Sequence, residues 1–588
     1  MSALAIAPAF LSDFNHLTPD VQLGTLSVMR AYSSGQLPET APVPGATDPG
    51  VRLVGVAPDW SGVVVPDHGD HYRLLTVRPH TQALEFARGL RPEALEPEPA
   101  DLTPTGPPEL SDALSAPFDR WRITLHPDQH RLAEAHHKGS VRVTGGPGTG
   151  KTVLAVHRAA HLAARHASAY PERVRESVLL TTYNRTLAQA LSDRLDQLLP
   201  DPDTRARVRV STIDAVAHSV VRSHTRAAPQ TADRDELAQR WRKAALADGL
   251  PFSGRFLVDE WEQVVLAQDL RSLSDYIRCE RSGRVQHLAP EHRRQVWETV
   301  HRYVGAMRVE GVWIPSQLAA EAAHVLDRGE PLFQHVVVAE FQDLHPTQWR
   351  MLRAAVPEGP DDLFVVGDPH QQVSDDRVSL ASLGINVRGR GHRLRVAHRI
   401  TQEILDRAVP ILEQHTGPGT DGGSGLPTGH RSVLHGPEPM VRECADPRGE
   451  VRALGHRVRK WLAAGVNPDT IAVAGRNQWV ARKVAKELEA DGTPTVSLET
   501  SGRAEAVRVG TMHGLKGLEF RCVALVGVSD HLLPPKAAIE AAEGDQVALE
   551  RVVQQERMLL FMACTRARDA LYVSHVGNPS RLVEPQAD

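Results

Sequence analysis

The chain has 588 residues, 41% hydrophobic and 24% charged, a composition that allows several packed cores and excludes long-range disorder. Lys and Arg number 67 against 72 Asp and Glu, a formal net charge of -5, so any nucleic-acid affinity must come from a local basic patch and not from the global field. Four scattered cysteines (Cys279, Cys444, Cys522 and Cys564) without a CxxC pair exclude a disulfide scaffold and a cysteine-rich zinc site. No apolar run approaches the ~18 residues of a membrane span, and the N-terminal segment lacks a basic region and a sustained apolar stretch. The expectation is a cytoplasmic protein with no membrane partner.

In chain order, Phe10 to Leu17 and Val21 to Met29 carry helical periodicity. Three strand-like runs follow, Val51–Val56, Val63–Val65 and Tyr72–Val77, with turn signals at Pro58-Asp59 and His68-Gly69-Asp70. Residues 1–95 therefore read as a small α+β domain. Residues 96–120, with Pro97, Pro99, Pro104, Pro107, Pro108 and Pro117, read as a semi-rigid linker. Beyond it, short apolar runs alternate with helical stretches: Val141–Val143, Val178–Leu180, Val336–Val338, Leu363–Val366, Ile471–Val473 and Cys522–Val526. That alternation indicates parallel sheets in α/β domains. Residues 216–330 lack such runs and read as a helical insertion.

The strongest chemical signal is Gly145-Gly146-Pro147-Gly148-Thr149-Gly150-Lys151-Thr152, which fits G-x-x-x-x-G-K-[ST] between a strand and a helix. The glycines let backbone N–H groups turn inward around phosphate oxygens, and the helix N-terminus adds its dipole. Lys151 would reach the β- and γ-phosphates of ATP and Thr152 would ligate Mg²⁺. Val336 to Ala339 then leads into Glu340, placed to polarise a water beside that loop. Ser211-Thr212 fits two readings, a helix N-cap and a ligand contact.

Taken together, these motifs resemble the UvrD/Rep-like superfamily 1 DNA helicases over about residues 121–580. Gln129, in Leu125-His126-Pro127-Asp128-Gln129, resembles the family's adenine-reading glutamine. Thr181-Thr182-Tyr183-Asn184-Arg185 and Ser211-Thr212-Ile213-Asp214 resemble its first DNA-contacting motifs. Ala339-Glu340-Phe341-Gln342-Asp343 resembles D-E-x-Q-D, and Gly367-Asp368-Pro369-His370-Gln371 with Arg377 resembles the motif coupling γ-phosphate to DNA. Arg399 stands where the family has a γ-phosphate arginine. Thr511 to Phe520, with His513 and Glu519, and Ala563 to Arg568, with Arg566, match the last two motifs.

The resemblance implies an α/β fold of two RecA-like domains, 121–215 with 331–395 and then 396–588, enclosing ATP and Mg²⁺. It implies Glu340, Gln371, Arg399 and Arg566 as catalytic residues. Gln129, residues 145–152 and Glu519 would bind nucleotide. Thr181, Asn184, Ser211, Thr212, Arg377 and His513 would contact single-stranded or partly duplex DNA. The family moves 3′ to 5′ in repair or recombination. Four departures point to attenuated turnover or unwinding: Ala339 for a metal-binding Asp, His398 for a stacking Tyr, Ser374 for a base-stacking aromatic, and Thr182 for a frequent Phe. Too few residues lie between Arg399 and about Ala506 for the long helical insertion of larger members; Gly417 to Gly429 reads as a short loop there. The N-terminal unit resembles, more weakly, the RelE/ParE toxin fold, and is expected to serve as an accessory domain for a protein partner.

Overall fold

The computed structural model describes residues 4–6, 10, 14, 17–33, 40–44, 46, 51–66, 72–89, 103–104, 118–172, 174–232, 234–281, 288–368, 380–413, 431–500, 502, 504–541 and 546–583. The Pro-rich stretch between 105 and 117, the run 369–379 that holds Gln371, Ser374 and Arg377, and the glycine-rich 417–429 lie outside these residues. The chain divides into two compact units, Met1–Leu102 with Gly436–Glu438, and Thr103–His435 with Pro439–Asp588.

The first unit is a five-stranded sheet. It comprises β1 (Leu4–Ile6), β2 (Thr40–Pro42), β3 (Arg52–Ala57), β4 (Trp60–Pro66) and β5 (Tyr72–Pro79) in the order β1-β5-β4-β3-β2. The strands from β2 to β5 pair antiparallel, whereas β1 joins β5 in parallel. Helices α1 (Pro19–Ser33) and α2 (His80–Gly89) accompany it. Val54, Val56, Val64, Leu74 and Val77 pack with Val21, Val28 and Tyr32 of α1, while Leu53, Val63 and Val65 join Ala83 and Ala87 of α2. Alternate strand residues thus bury two faces.

The second unit holds two parallel sheets. The first lobe contains β7 (Val141–Gly145), β8 (Val178–Thr182), β9 (Val208–Thr212), β12 (His335–Ala339), β13 (Leu363–Gly367) and β14 (Gly391–Leu394), in the order β14-β7-β13-β12-β8-β9. Every pair is parallel. The central strands are buried on both faces. Val336 and Val338 join Leu179, Leu363 and Val365 in one core, while Val337 and Ala339 join Val143, Leu180 and Val366 in the other. That explains the unbroken apolar runs in the sequence.

The second lobe repeats the plan with β17 (Met440–Cys444), β18 (Ile471–Gly475), β19 (Thr495–Ser497), β20 (Val507–Thr511), β21 (Phe520–Val526) and β22 (Ala567–Val576), in the order β17-β22-β21-β18-β20-β19, again all parallel. Between the lobes' sequences, β15 (Val396–Thr401) pairs with β16 (Arg431–His435), which in turn takes β6 (Thr103–Pro104) on its other edge. These are the two RecA-like domains expected from the parallel pattern.

The stretch 216–330 is mainly helical, with its own core of Leu237, Trp241, Leu257, Trp261, Tyr276, Val300 and neighbours. One parallel pair, Gln230–Thr231 with Val312–Trp313, interrupts it. Two residues per strand are too few to leave a periodic signal. A π-helical turn at Trp261–Leu266 is tied to the first lobe: Arg350 donates to the carbonyls of Leu266 and Ala267, and His345 contacts the carbonyl of Glu262 at 3.1 Å. Among the described residues, no helix is long and apolar enough to cross a membrane.

Candidate nucleotide and nucleic-acid site

The glycine-rich loop joins β7 to a long helix, Lys151–Ala169. Gly148 and Gly150 take φ values of +67° and +87°, which L-residues with a Cβ rarely adopt. A Cβ on Gly148 would lie 2.3 Å from Ile400 Cγ2, so side chains are excluded where the backbone must approach a ligand. Lys151 Nζ donates to the Gly146 carbonyl at 2.7 Å and Thr149 Oγ1 donates to the same oxygen at 2.8 Å. Burial pushes the Lys151 ammonium's pKa down, and the carboxylates of Asp368 and Glu340 oppose that shift. The loop is therefore held ready by its own carbonyl, which a phosphate oxygen can replace as the lysine's partner.

Glu340 follows β12 with φ of 61°, a left-handed conformation that costs about 1 kcal/mol or more for a residue with a Cβ. Its Oε2 accepts from Gln342 Nε2 at 2.7 Å, and Gln342 Oε1 accepts from the Asp368 backbone N–H at 3.1 Å. Gln342 thus locks the ends of β12 and β13 together and aims Glu340; a sequence reading has no signal for this beyond the motif spacing. No cluster of three or more His, Cys, Asp or Glu suited to a metal occurs among the described residues. The donor set near Lys151 is Thr152, Glu340 and Asp368, which suits a hard cation delivered with phosphates and water.

Upstream of the loop, Gln129 Nε2 donates to the Thr149 carbonyl at 2.6 Å. His126 caps the helix Pro127–Glu134 and stacks on His398, with ring centroids 4.3 Å apart and planes 19° from parallel. Burial, helped by His126 and Arg399, lowers the His398 pKa to about 4, so its imidazole is neutral and able to stack. The His398 backbone N–H donates to the Gly148 carbonyl at 2.9 Å.

Arg399 is buried. Its Nη1 meets Glu519 Oε2 at 3.2 Å, and its Nη2 donates to the carbonyls of Trp121 and Thr124, each at 2.9 Å. Burial works to raise the Glu519 carboxyl's pKa, but Arg399, Arg194, Arg122 and Arg566 outweigh it and hold it at about 2. Arg566 donates to the Met562 carbonyl at 3.1 Å and lies close enough to depress the Lys151 pKa. The structure therefore brings together Gln129, the 145–152 loop, Glu340, Arg399, Glu519 and Arg566. Trp121, whose ring has the guanidiniums of Arg399 at 4.4 Å and Arg568 at 4.5 Å over it, is a member of this cleft that sequence reasoning missed.

The expected DNA residues divide. Asn184 caps the helix Arg185–Leu198 and Thr212 caps Ile213–Thr225. With Arg185, Tyr183, Thr511 and His513 they line one open cleft of about 850 Å³ that spans both lobes. Two helix N-termini at one groove favour an anionic strand. Thr181 and Ser211 do not line it: Thr181 Oγ1 donates to the Ser211 carbonyl at 2.9 Å, tying β8 to β9, and Ser211 Oγ turns to the Thr212 carbonyl. Lys516 bridges the lobes by an ion pair with Asp343, and its ammonium sits 4.7 Å over the Tyr183 ring.

Burial raises the Asp343 pKa to about 6, with Lys516 opposing. An acid raised in the folded state takes up a proton on folding, so this group's contribution to stability falls as pH rises from its ordinary value of 3.8 to about 6. Asp343→Asn is expected to remove that slope, read as Tm against pH. A variant whose Tm profile parallels the parent's across this window would refute the assignment.

A parallel-sheet lobe with a strand–glycine loop–helix and a facing lobe that carries arginines defines a P-loop protein of two RecA-like domains. Residues 125–375 match the family described as UvrD/REP helicase N-terminal domain, and residues 497–578 match the UvrD-like helicase C-terminal domain. The chain belongs to the UvrD/Rep-like helicase family. It is 24% identical to DNA helicase II of Escherichia coli (strain K12) over 396 residues, 61% of this chain and 49% of that protein. It is 33% identical over 91 residues to ATP-dependent DNA helicase PcrA of Staphylococcus aureus (strain MRSA252), covering 16% and 12% of the two chains. It is 42% identical over 73 residues to the putative ATP-dependent DNA helicase YjcD of Bacillus subtilis (strain 168), covering 12% and 9%. The chain thus spans about half the length, or less, of these relatives.

Proposed function

We propose that the protein is an ATP-dependent DNA helicase or translocase acting on single-stranded DNA, 3′ to 5′, in repair or recombination. One observation carries the reading: the phosphate loop and the open cleft at Asn184, Thr212 and His513 share the same two lobes, so closing the lobes around ATP must move the strand's contacts. Lys151 binds the β- and γ-phosphates, and Glu340 polarises the attacking water. Arg399 and Arg566 bring positive charge to the equatorial oxygens when the cleft is closed. Thr152 would hold Mg²⁺, which would supply neutralising charge to the phosphates. Gln129 and the His126–His398 stack receive the base, and Glu519 the ribose. Gln371 and Arg377, outside the described residues, couple the phosphate to DNA, as their motif implies. The N-terminal unit engages a protein partner.

The test is ATPase activity with and without single-stranded DNA, paired with strand separation of a 3′-tailed duplex. Stimulation and unwinding are the expected results. ATP binding with neither would favour a second reading, a nucleotide-binding module with impaired hydrolysis, for which the fully buried Ala339 is the specific support.

Single-strand binding is expected to be steeply salt-dependent despite the net charge of -5. Arg185 is exposed on the cleft. Arg185→Ala should reduce the slope of log affinity against log salt by about 0.7, the value for one phosphate contact. An unchanged slope in a salt titration would remove Arg185 from the DNA path.

A further inference from the structure

The cleft contains a charge arrangement that phosphate binding leaves unused. Glu519 Oε2 receives two guanidiniums at once, Arg399 Nη1 at 3.2 Å and Arg194 Nη2 at 3.0 Å. Arg399 comes from β15, while Arg194 comes from the first lobe's helix Arg185–Leu198. Arg194 is 3% exposed, and its Nε and Nη1 have no hydrogen-bond partner. Buried donors without acceptors are costly, and a long cation is a poor choice for filling space. Arg399, in contrast, uses Nη2 on the carbonyls of Trp121, Arg122 and Thr124 and sits 4.4 Å over the Trp121 ring.

We infer that Arg194 is a positioning residue, which retains Glu519 so that Arg399 can leave it for the terminal phosphate of a bound nucleoside triphosphate. The inference rests on the nucleotide reading above. Glu519 keeps only 21% of its side-chain surface exposed. A carboxylate so enclosed cannot give up its sole counter-ion without a large penalty. With Arg194 present, Arg399 departs and the carboxylate is still paired. With Arg194 gone, Arg399 carries more of the pairing of Oε2, alongside the charges of Arg122 and Arg566, and is held there more tightly. The two arginines compete for one oxygen, and this competition makes Arg399 mobile. Arg194 also joins the first lobe to the strand β21 end at Glu519, so the exchange is tied to how the lobes meet. A residue serving packing alone would affect all nucleotides alike; this one discriminates between those with and without a γ-phosphate.

The experiment measures affinities of the full chain for ADP and for a non-hydrolysable ATP analogue, in the parent, Arg194→Gln, Arg194→Lys, Glu519→Gln, and Arg194→Gln combined with Glu519→Gln. The parent should favour the analogue by about tenfold, within the usual range of coupling between two sites. Arg194→Gln should bring the ratio close to one with ADP affinity unchanged. Arg194→Lys, which keeps the charge, should retain most of the preference. In the Glu519→Gln background the Arg194 substitution should have no further effect, because the carboxylate it serves is gone. A parent that binds both nucleotides equally, or an Arg194→Gln variant that keeps the full preference or weakens both nucleotides in parallel, overturns the proposal while leaving the nucleotide site standing. Failure of the parent to bind either nucleotide would overturn both readings.

Discussion

Lys151→Ala is expected to weaken ATP binding by up to about 100-fold and to abolish turnover while the chain stays folded. The ammonium is buried at the start of the helix Lys151–Ala169 and already donates to the Gly146 carbonyl at 2.7 Å, inside the loop that would surround the phosphates. A charge-assisted hydrogen bond of this kind contributes about 1.5–3 kcal/mol. At about 1.4 kcal/mol per decade that corresponds to roughly 10- to 100-fold in affinity. Turnover suffers more, because the same ammonium faces the charge that builds on the γ-phosphate in the transition state. The fold should survive, since the removed group is a cation whose pKa burial already depresses. Equilibrium nucleotide titration and thermal melting separate the two effects. Parental affinity and turnover in a folded Lys151→Ala chain would defeat the phosphate-loop assignment.

Ala339→Asp is expected to raise kcat, by up to ~100-fold if the missing carboxylate now leaves the attacking geometry loose by about 1 Å. Ala339 ends β12 with no exposed surface and belongs to the core face that holds Leu154 and Ala155 of the phosphate-loop helix. A carboxylate there points to the side of the sheet from which Lys151 and Thr152 arise. Without a cation it is a buried unpaired charge, which costs several kcal/mol. The variant should therefore melt below the parent when empty and recover on adding Mg²⁺ with an ATP analogue. The gain should fall on kcat more than on KM, because it acts on the transition state. Steady-state kinetics and melting with and without Mg²⁺ test both halves. If kcat is unchanged and Mg²⁺ gives no added recovery, the residue at position 339 does not limit turnover, and Asp343 and Asp368 become the residues to substitute.

What could be read from the sequence follows from where the determinants lie along the chain. The phosphate loop was legible because its chemistry is local: glycines at positive φ and a lysine at the first helical turn must be adjacent in sequence. The strands at 178, 336, 363, 471 and 522 were legible because burial on both faces leaves an unbroken apolar run, whereas the strand at 141 alternates, with Arg142 exposed between Val141 and Val143. Arg194 was not legible. Between Asp193 and Leu195 on an amphipathic helix it reads as a solvated arginine, and its partner Glu519 lies 325 residues away. Trp121 was hidden in the same way, since the arginines against its ring come from positions 399 and 568. The strand Leu4–Ile6 has three residues, too few for a period, and needs Tyr72–Leu74 as a template. Thr181 and Ser211 were singled out by residue type, and type alone does not show where a hydroxyl donates: both donate to neighbouring carbonyls.

The strand that carries the phosphate loop has a consequence for how the chain is made. Both sheet neighbours of Val141–Gly145 come late, Leu363–Gly367 on one side and Gly391–Leu394 on the other. During synthesis at about 5–20 residues per second, this strand waits roughly 12–50 s for its last partner. Over that interval the unpaired N–H and C=O groups along its edges are open templates for pairing with other chains. The helical stretch between them, with a core of its own, can collapse first and shorten the effective loop that must close. Nascent chains stalled before residue 391 should consequently be the aggregation-prone species, protected by ribosome-bound chaperones, and fragments ending short of that strand should be insoluble even though they contain the whole glycine-rich motif.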